Sequence, residues 1–274
     1  MFPGIVLTAY AQAQHPTDTL RPVQVSQPDS PGEDIYQLLR PYKLLLTGES
    51  HGTNEPAALV TGLIKIMLAH GDSVQIGLEI NPSQMTDFYE NQSDSTLLAS
   101  KFFSLKNHNP QASEAWAKLI LFASKSTGCR LFFFDAVYKG YNSLYPRDSV
   151  MYLNIKEKLR QHPSWKTIIL TGDIHSRPSP YNSMPTMGYY LSTDQGIADF
   201  SPIISITHQY KVGEFWDTSG PRPQEYEKWY KDIPYTKNKG LKSYLLLLPG
   251  KTNGTSRCIY YTEKATRSRI IWNQ

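Results

Sequence analysis

Four short runs of apolar residues punctuate the first two thirds of the chain, at residues 42–47 (YKLLLT), 74–79 (VQIGLE), 130–135 (RLFFFD) and 166–171 (KTIILT). They are nearly continuous in apolar side chains rather than alternating, the pattern of strands covered on both faces. Segments of helical length separate them. Residues 56–70 begin with Pro56 and stop at Gly71, residues 113–126 open on Ser113 as a cap and end before Gly128, and a third segment covers residues 146–160. In that third segment Arg147, Met151, Ile155 and Leu159 recur every four residues and so share one helix face. The three apolar members turn the face inward, which carries Arg147 toward the sheet. This alternation predicts an α/β fold: a mostly parallel central sheet with flanking helices. After a loop rich in Pro, Ser and Asn at residues 177–185, the pattern changes. Residues 202–210, 242–248 and 257–262 read as strands without clear helices between them, and are expected to extend the same sheet, with antiparallel pairing open to them. No internal repeat of fixed period is visible.

Residues 1–14 (MFPGIVLTAYAQAQ) hold a short apolar run ending in Ala9-Tyr10-Ala11, a small-x-small pattern suited to signal peptidase. Export to the periplasm or beyond is the expectation, with a cytoplasmic chain bearing an unstructured N-terminus as the alternative. Residues 15–33 read as an exposed linker rich in Pro and Gly, which leaves residues 34–274 as a single α/β domain. No later run approaches the roughly 18 to 20 apolar residues of a membrane-spanning helix. The 274 residues, 40% hydrophobic with 17 Gly and 19 Pro, exclude collagen, low-complexity and multi-span membrane classes. Lys and Arg exceed Asp and Glu by a net +4 and are scattered, so nothing marks a nucleic-acid partner; a small-molecule or peptide substrate fits better. Two cysteines, Cys129 and Cys258, cannot form a disulfide scaffold or a four-cysteine zinc site, so any metal must be held by His and carboxylates. Whether they pair with each other is open.

The candidate chemistry collects where the strands end. The first run leads into Gly48-Glu49-Ser50-His51-Gly52, the second ends in Glu79, the third at Asp135, and the fourth leads into Gly172-Asp173-Ile174-His175. In a parallel sheet those four ends lie on one edge, where open α/β sheets bind ligands. His51 and His175 occupy the same frame, Gly-x-x-His after an apolar run, with a carboxylate two residues before the imidazole. Glu79 closes an apolar strand, and a carboxylate there must be paired, hydrogen-bonded or metal-bound to tolerate burial. Arg147 needs an anion in turn: Glu49, Glu79, Asp135 or a substrate oxyanion. Asp148 suits the positive end of its helix. His208 is a further candidate for the same edge.

These residues resemble the erythromycin esterase, ChaN-like haem-uptake and TIKI/TraB group of proteins. The likeness rests on Gly48-Glu49-Ser50-His51-Gly52-Thr53-Asn54-Glu55, Leu78-Glu79, residues 147–155 (RDSVMYLNI) and Gly172-Asp173-Ile174-His175, with Met187-Gly188-Tyr189-Tyr190-Leu191 as a fifth stretch. The esterase branch implies hydrolysis of a macrolide lactone, with His51 activating water and Glu49, Glu79, Arg147 and His175 completing the site. The TIKI branch implies a metal-dependent hydrolase, and the ChaN branch an exported haem-binding protein. One residue separates Glu49 from His51, as in ChaN and TIKI proteins, whereas the sequence from His51 to Glu55 is esterase-like, so the branch stays open.

The leading expectation is hydrolysis of an ester, lactone or amide by water. A neutral histidine, with an ordinary pKa of about 6.5, takes a proton from water while Glu49 or Glu79 orients it, His175 shares the role, and Arg147 stabilises the oxyanion. No Gly-x-Ser-x-Gly elbow is present, which disfavours a serine nucleophile. A second version adds a divalent metal on His51, His175, Glu49 and Glu79. The alternative from another class is haem binding without turnover.

Overall fold

The computed structural model describes residues 21–104, 109–135, 147–217, 220–224 and 240–271. In chain order the elements are β1 (Val23–Gln24), α1 (Glu33–Leu39), β2 (Leu44–Glu49), α2 (Glu55–Ala69), β3 (Val74–Leu78), α3 (Thr86–Glu90), α4 (Asp94–Ala99), α5 (Glu114–Lys125), β4 (Cys129–Phe133), α6 (Arg147–Gln161), β5 (Lys166–Gly172), α7 (Met187–Thr193), β6 (Ile203–Asp217), β7 (Gly220–Gln224), β8 (Ser243–Thr252) and β9 (Thr255–Ala265). The four apolar runs are β2, β3, β4 and β5. Their helices begin and end where the local signals place them: the Ser113 hydroxyl caps α5 by accepting the Trp116 N–H, and Gly71, at φ 80°, ends the turn after α2.

All nine strands of the described residues join one sheet, in the order β1-β8-β9-β6-β2-β5-β3-β4, with β7 paired to β6. From β4 through β3, β5, β2 and β6 to β9 every pairing is parallel. Antiparallel strands are confined to the margins, β8 on β9, β1 on β8 and β7 on β6. The C-terminal strands therefore extend the sheet in both senses. The short α7 carries the chain back between β5 and β6 and allows parallel entry. Asn253 and Gly254, at φ 49° and 77°, make instead the two-residue reversal that sets β8 against β9.

Helices cover both faces. Leu45 of β2 and Ile76 of β3 pack with Leu59, Leu63 and Trp116 from α2 and α5, while Leu44 and Leu46 face Met151, Ile155, Leu159 and Met187 from α6 and α7. The inward stripe of α6 is fully buried, as its four-residue period predicts. The linker expected at residues 15–33 requires a correction. Residues 15–20 lie outside the described residues, as does the candidate export signal at 1–14. Residues 21–33 are part of the body: Val23–Gln24 pairs with β8, Val25 is buried, and the Pro28 carbonyl and Pro31 press on Gly62 of α2. Pro and Gly there shape a close-packed crossing rather than a tether. Among the described residues no helix is long and apolar enough to cross a membrane. Cys129 and Cys258 are free thiols, pushed up to about 12 by burial. They sit on β4 and β9, five strands apart and hence roughly 24 Å, too far to bridge.

Candidate active site

Strand register brings the functional side chains level. Glu49 of β2 lies opposite Gly172 of β5, and Leu78 of β3 lies opposite both Leu170 of β5 and Phe133 of β4. The residues that follow these pairs leave the sheet on one edge. After β2 the chain must turn sharply over the strand end, and Gly52, at φ 72°, lets it do so. Any side chain at Gly52 would strike Trp216 of β6, whose backbone N–H donates to the His51 carbonyl at 3.0 Å. The backbone of His51 is thus fixed by the neighbouring strand β6.

Its ring is fixed from within. His51 Nδ1 lies 3.1 Å from Glu49 Oε1, and the other carboxylate oxygen accepts the Trp116 indole N–H at 3.1 Å. Glu49 is buried and His51 about one third exposed, so the carboxylate anchors an imidazole that opens toward solvent. Burial disfavours the His51 cation, but the Glu49 hydrogen bond and the charges of Glu79 and Glu49 outweigh it and raise its pKa above the ordinary value. Burial also raises Glu49, against the pull of its His51 and Trp116 bonds. Among the described residues nothing bonds His51 Nε2.

Glu79 is the hub of the neighbouring cluster. One of its oxygens accepts the Thr171 hydroxyl and the Gly172 N–H, both at 2.7 Å, and the Gln111 amide at 3.4 Å. The other accepts Arg147 Nη2 at 2.6 Å. Arg147 also forks onto Asp135, from Nε at 2.8 Å and Nη2 at 2.9 Å, and its Nη1 lies 3.3 Å from His175 Nε2. Burial opposes a charge on Glu79, yet the positive fields of His175, His51 and Arg147 and the Thr171 hydroxyl prevail and hold its carboxyl down to about 2. Burial likewise opposes the Arg147 cation, and the bonds and charges of Asp135 and Glu79 overcome it, so its pKa is raised. Of the five guanidinium N–H groups, one on Nη1 has no partner among the described residues.

His175 Nδ1 pairs with Asp148 Oδ1 at 2.8 Å. Burial lowers the ring's pKa, but Asp148 and Glu79 outweigh it and the net shift is upward. Gly172 separates the two imidazoles: a methyl placed on it would stand 3.0 Å from His51 Cε1 and Nε2 and 3.5 Å from His175 Cδ2. Both rings border the space above Gly172. Gly172→Ala is therefore expected to leave a folded protein whose His51 ring is pushed aside; circular dichroism and the histidine ring resonances of the variant check this.

Glu49, His51, Glu79, Arg147 and His175 are thus brought together, and Asp135 with them. His208 is not: it is buried between the rings of Tyr210 and Tyr260, bonds Thr262 at 3.0 Å, and is pushed down to about 3 by burial. Trp116, Thr171 and Gln111 escaped sequence reasoning, because an indole on a helix or a threonine ending a strand carries no local mark of a catalytic contact. Asp148 was visible only as a helix-start acid. A metal on His51, His175, Glu49 and Glu79 does not fit this arrangement. Both oxygens of Glu79 and of Glu49 already accept protein donors, and the Arg147 cation stands at His175 Nε2, where a second cation would be repelled. Among the described residues no group of three His, Cys, Asp or Glu side chains is disposed to hold a metal.

No family profile matches the chain, and no curated protein is similar to it in sequence. Solved structures are similar in shape. An erythromycin esterase, the EreC H289N variant in its open conformation, superposes with a TM-score of 0.64 at 12% identity, over 93% of this chain and 100% of that one. The chain has the erythromycin esterase fold. The same fold is shared with a Bacillus cereus protein (TM-score 0.57, 10% identity, 92% of this chain and 97% of that one). A succinoglycan biosynthesis protein also has it (TM-score 0.58, 12% identity, 92% and 96%). At such identities the erythromycin esterase fold says how the chain is built, while its chemistry rests on the side chains above.

Proposed function

We propose that the chain is a hydrolase in which His51 activates water to cleave an ester, lactone or amide, without a metal. The observation that carries this is the asymmetry of His51: Nδ1 is committed to a buried carboxylate, while Nε2 has no partner among the described residues on a ring one third exposed, and the Arg147 guanidinium stands at the neighbouring His175. With Nδ1–H donated to Glu49, the Nε2 lone pair accepts a proton from water. The resulting hydroxide attacks the carbonyl carbon. Negative charge developing on the carbonyl oxygen meets the remaining Nη1–H of Arg147, which Glu79 and Asp135 hold in place before the reaction starts. Glu49 stabilises the imidazolium, which returns the proton to the leaving oxygen or nitrogen as the bond to carbon breaks.

A panel of chromogenic esters, lactones and anilides, assayed before and after exhaustive chelation, tests the reading. Hydrolysis of at least one class, unchanged by chelation and lost in His51→Ala, is the expected result. Activity that disappears on chelation and returns with added metal would overturn the metal-free version. A wild-type protein no more active than His51→Ala across the panel would overturn the hydrolase.

A further inference from the structure

The geometry assigns Asp148 as the positioning residue of His175: its carboxylate holds the ring with the proton on Nδ1 and turns Nε2 toward Arg147 as an acceptor. The consequence for catalysis rests on the hydrolase reading above; the geometry does not.

Three observations combine. Asp148 Oδ1 accepts two donors, His175 Nδ1 at 2.8 Å and the backbone N–H of Met187 at 2.7 Å, so the carboxylate is itself pinned by the start of α7. The next residue completes the grip, because the Gly188 N–H donates to the His175 carbonyl at 2.8 Å. No side chain is tolerated there: a Cβ on Gly188 would come within 2.5 Å of the Ser176 carbonyl and 2.6 Å of that of Arg177. The Met187-Gly188 pair therefore holds His175 at its main chain directly and at its ring through Asp148. The third observation is the 3.3 Å contact between His175 Nε2 and Arg147 Nη1. A guanidinium has no lone pair to offer, so this contact is a hydrogen bond only when Nε2 is unprotonated. An acceptor at Nδ1 selects that tautomer, and a carboxylate is the strongest acceptor available.

The two imidazoles then differ in task although each leans on a carboxylate. His51 presents to water an Nε2 that no described residue bonds. His175 spends its Nε2 on Arg147 and so steadies the Nη1 group whose last N–H faces the reacting oxygen. Adjacent residues at the start of α6 supply both ends of this chain, Arg147 the cation and Asp148 the acid that orients its neighbour.

Long-range proton–nitrogen correlation spectra of the full chain labelled with 15N-histidine, recorded at alkaline pH where the rings are neutral, test the assignment without a substrate. His175 of the wild type is expected to carry its proton on Nδ1. Asp148→Ala should shift it to the Nε2–H form, Asp148→Asn, whose amide oxygen still accepts, should retain Nδ1–H, and His51 should be unchanged in both. On a substrate found in the panel, Asp148→Ala should lower kcat about 10- to 100-fold with little change in KM, and Asp148→Asn should recover part of it. A wild-type His175 protonated on Nε2, or an Asp148→Ala protein that keeps Nδ1–H, would overturn the assignment. The expected tautomers in a protein that hydrolyses nothing would support the assignment and sink the hydrolase reading alone.

Discussion

Replacing His51 by alanine is expected to reduce hydrolytic turnover by about 10²- to 10⁴-fold, the range supplied by a positioned general base, and to leave the fold intact. The ring is a third exposed and its main chain is held independently by Trp216, so the cost of its removal falls on Glu49, whose Oε1 loses a partner while Oε2 keeps the Trp116 indole. The same base sets the pH profile. Its pKa is raised above the ordinary 6.5, so the neutral, proton-accepting form appears only as pH rises through that higher value. Activity should therefore climb along an acid limb centred above pH 6.5. Glu49→Gln keeps an oxygen near Nδ1 but removes the charge that favours the imidazolium. Its acid limb should move to lower pH while the plateau falls, a pair of changes that a loss of folded protein would not produce. A limb unmoved by Glu49→Gln would show that Glu49 does not act through His51.

Glu79→Ala is expected to destabilise the protein by about 3–5 kcal/mol, measured by denaturant unfolding, because it leaves Arg147 with half its anionic partners and Thr171 and Gly172 with unmet donors in the interior. Glu79→Gln separates charge from shape. The folded carboxyl titrates at about 2 against 4.5 when unperturbed, so its ionised form contributes about 3 kcal/mol of stability, present above pH 4.5 and lost as pH falls toward 2. Wild-type stability should drop across that window, and the Gln variant should lose that part of the slope. Equal slopes in the two proteins would show that the charge of Glu79 contributes nothing to acid stability.

The legible part of the fold was local in origin. A run such as KTIILT buries on both faces wherever it lies, and a helix stripe of Met151, Ile155 and Leu159 has only one apolar side. Both patterns therefore name their element without reference to the rest of the chain. The strand-end histidines were legible for the same reason, since parallel strands deliver their carboxyl ends to one edge. Non-local packing was not. Val23 and Gln24 look like linker because their partners, Leu245 and Tyr244, lie more than two hundred residues away. The Asn253-Gly254 turn, with both φ angles positive, is what sets β8 antiparallel to β9.

By itself the sequence determined an α/β sheet whose edge gathers two histidines, several carboxylates and one inward arginine, because hydrophobic period and strand-end placement are properties of short segments. It left Glu49, Glu79 and Asp135 equivalent as partners for Arg147. Only the tertiary structure divided them, giving Glu79 and Asp135 to the arginine and Glu49 to His51. It also set Trp116, 67 residues from Glu49 in the chain, behind that carboxylate, and the Met187 backbone behind Asp148. Such pairings depend on strand register and on which helix covers which strand end, distances of a few ångströms between segments remote in sequence, and no local pattern of residues encodes them.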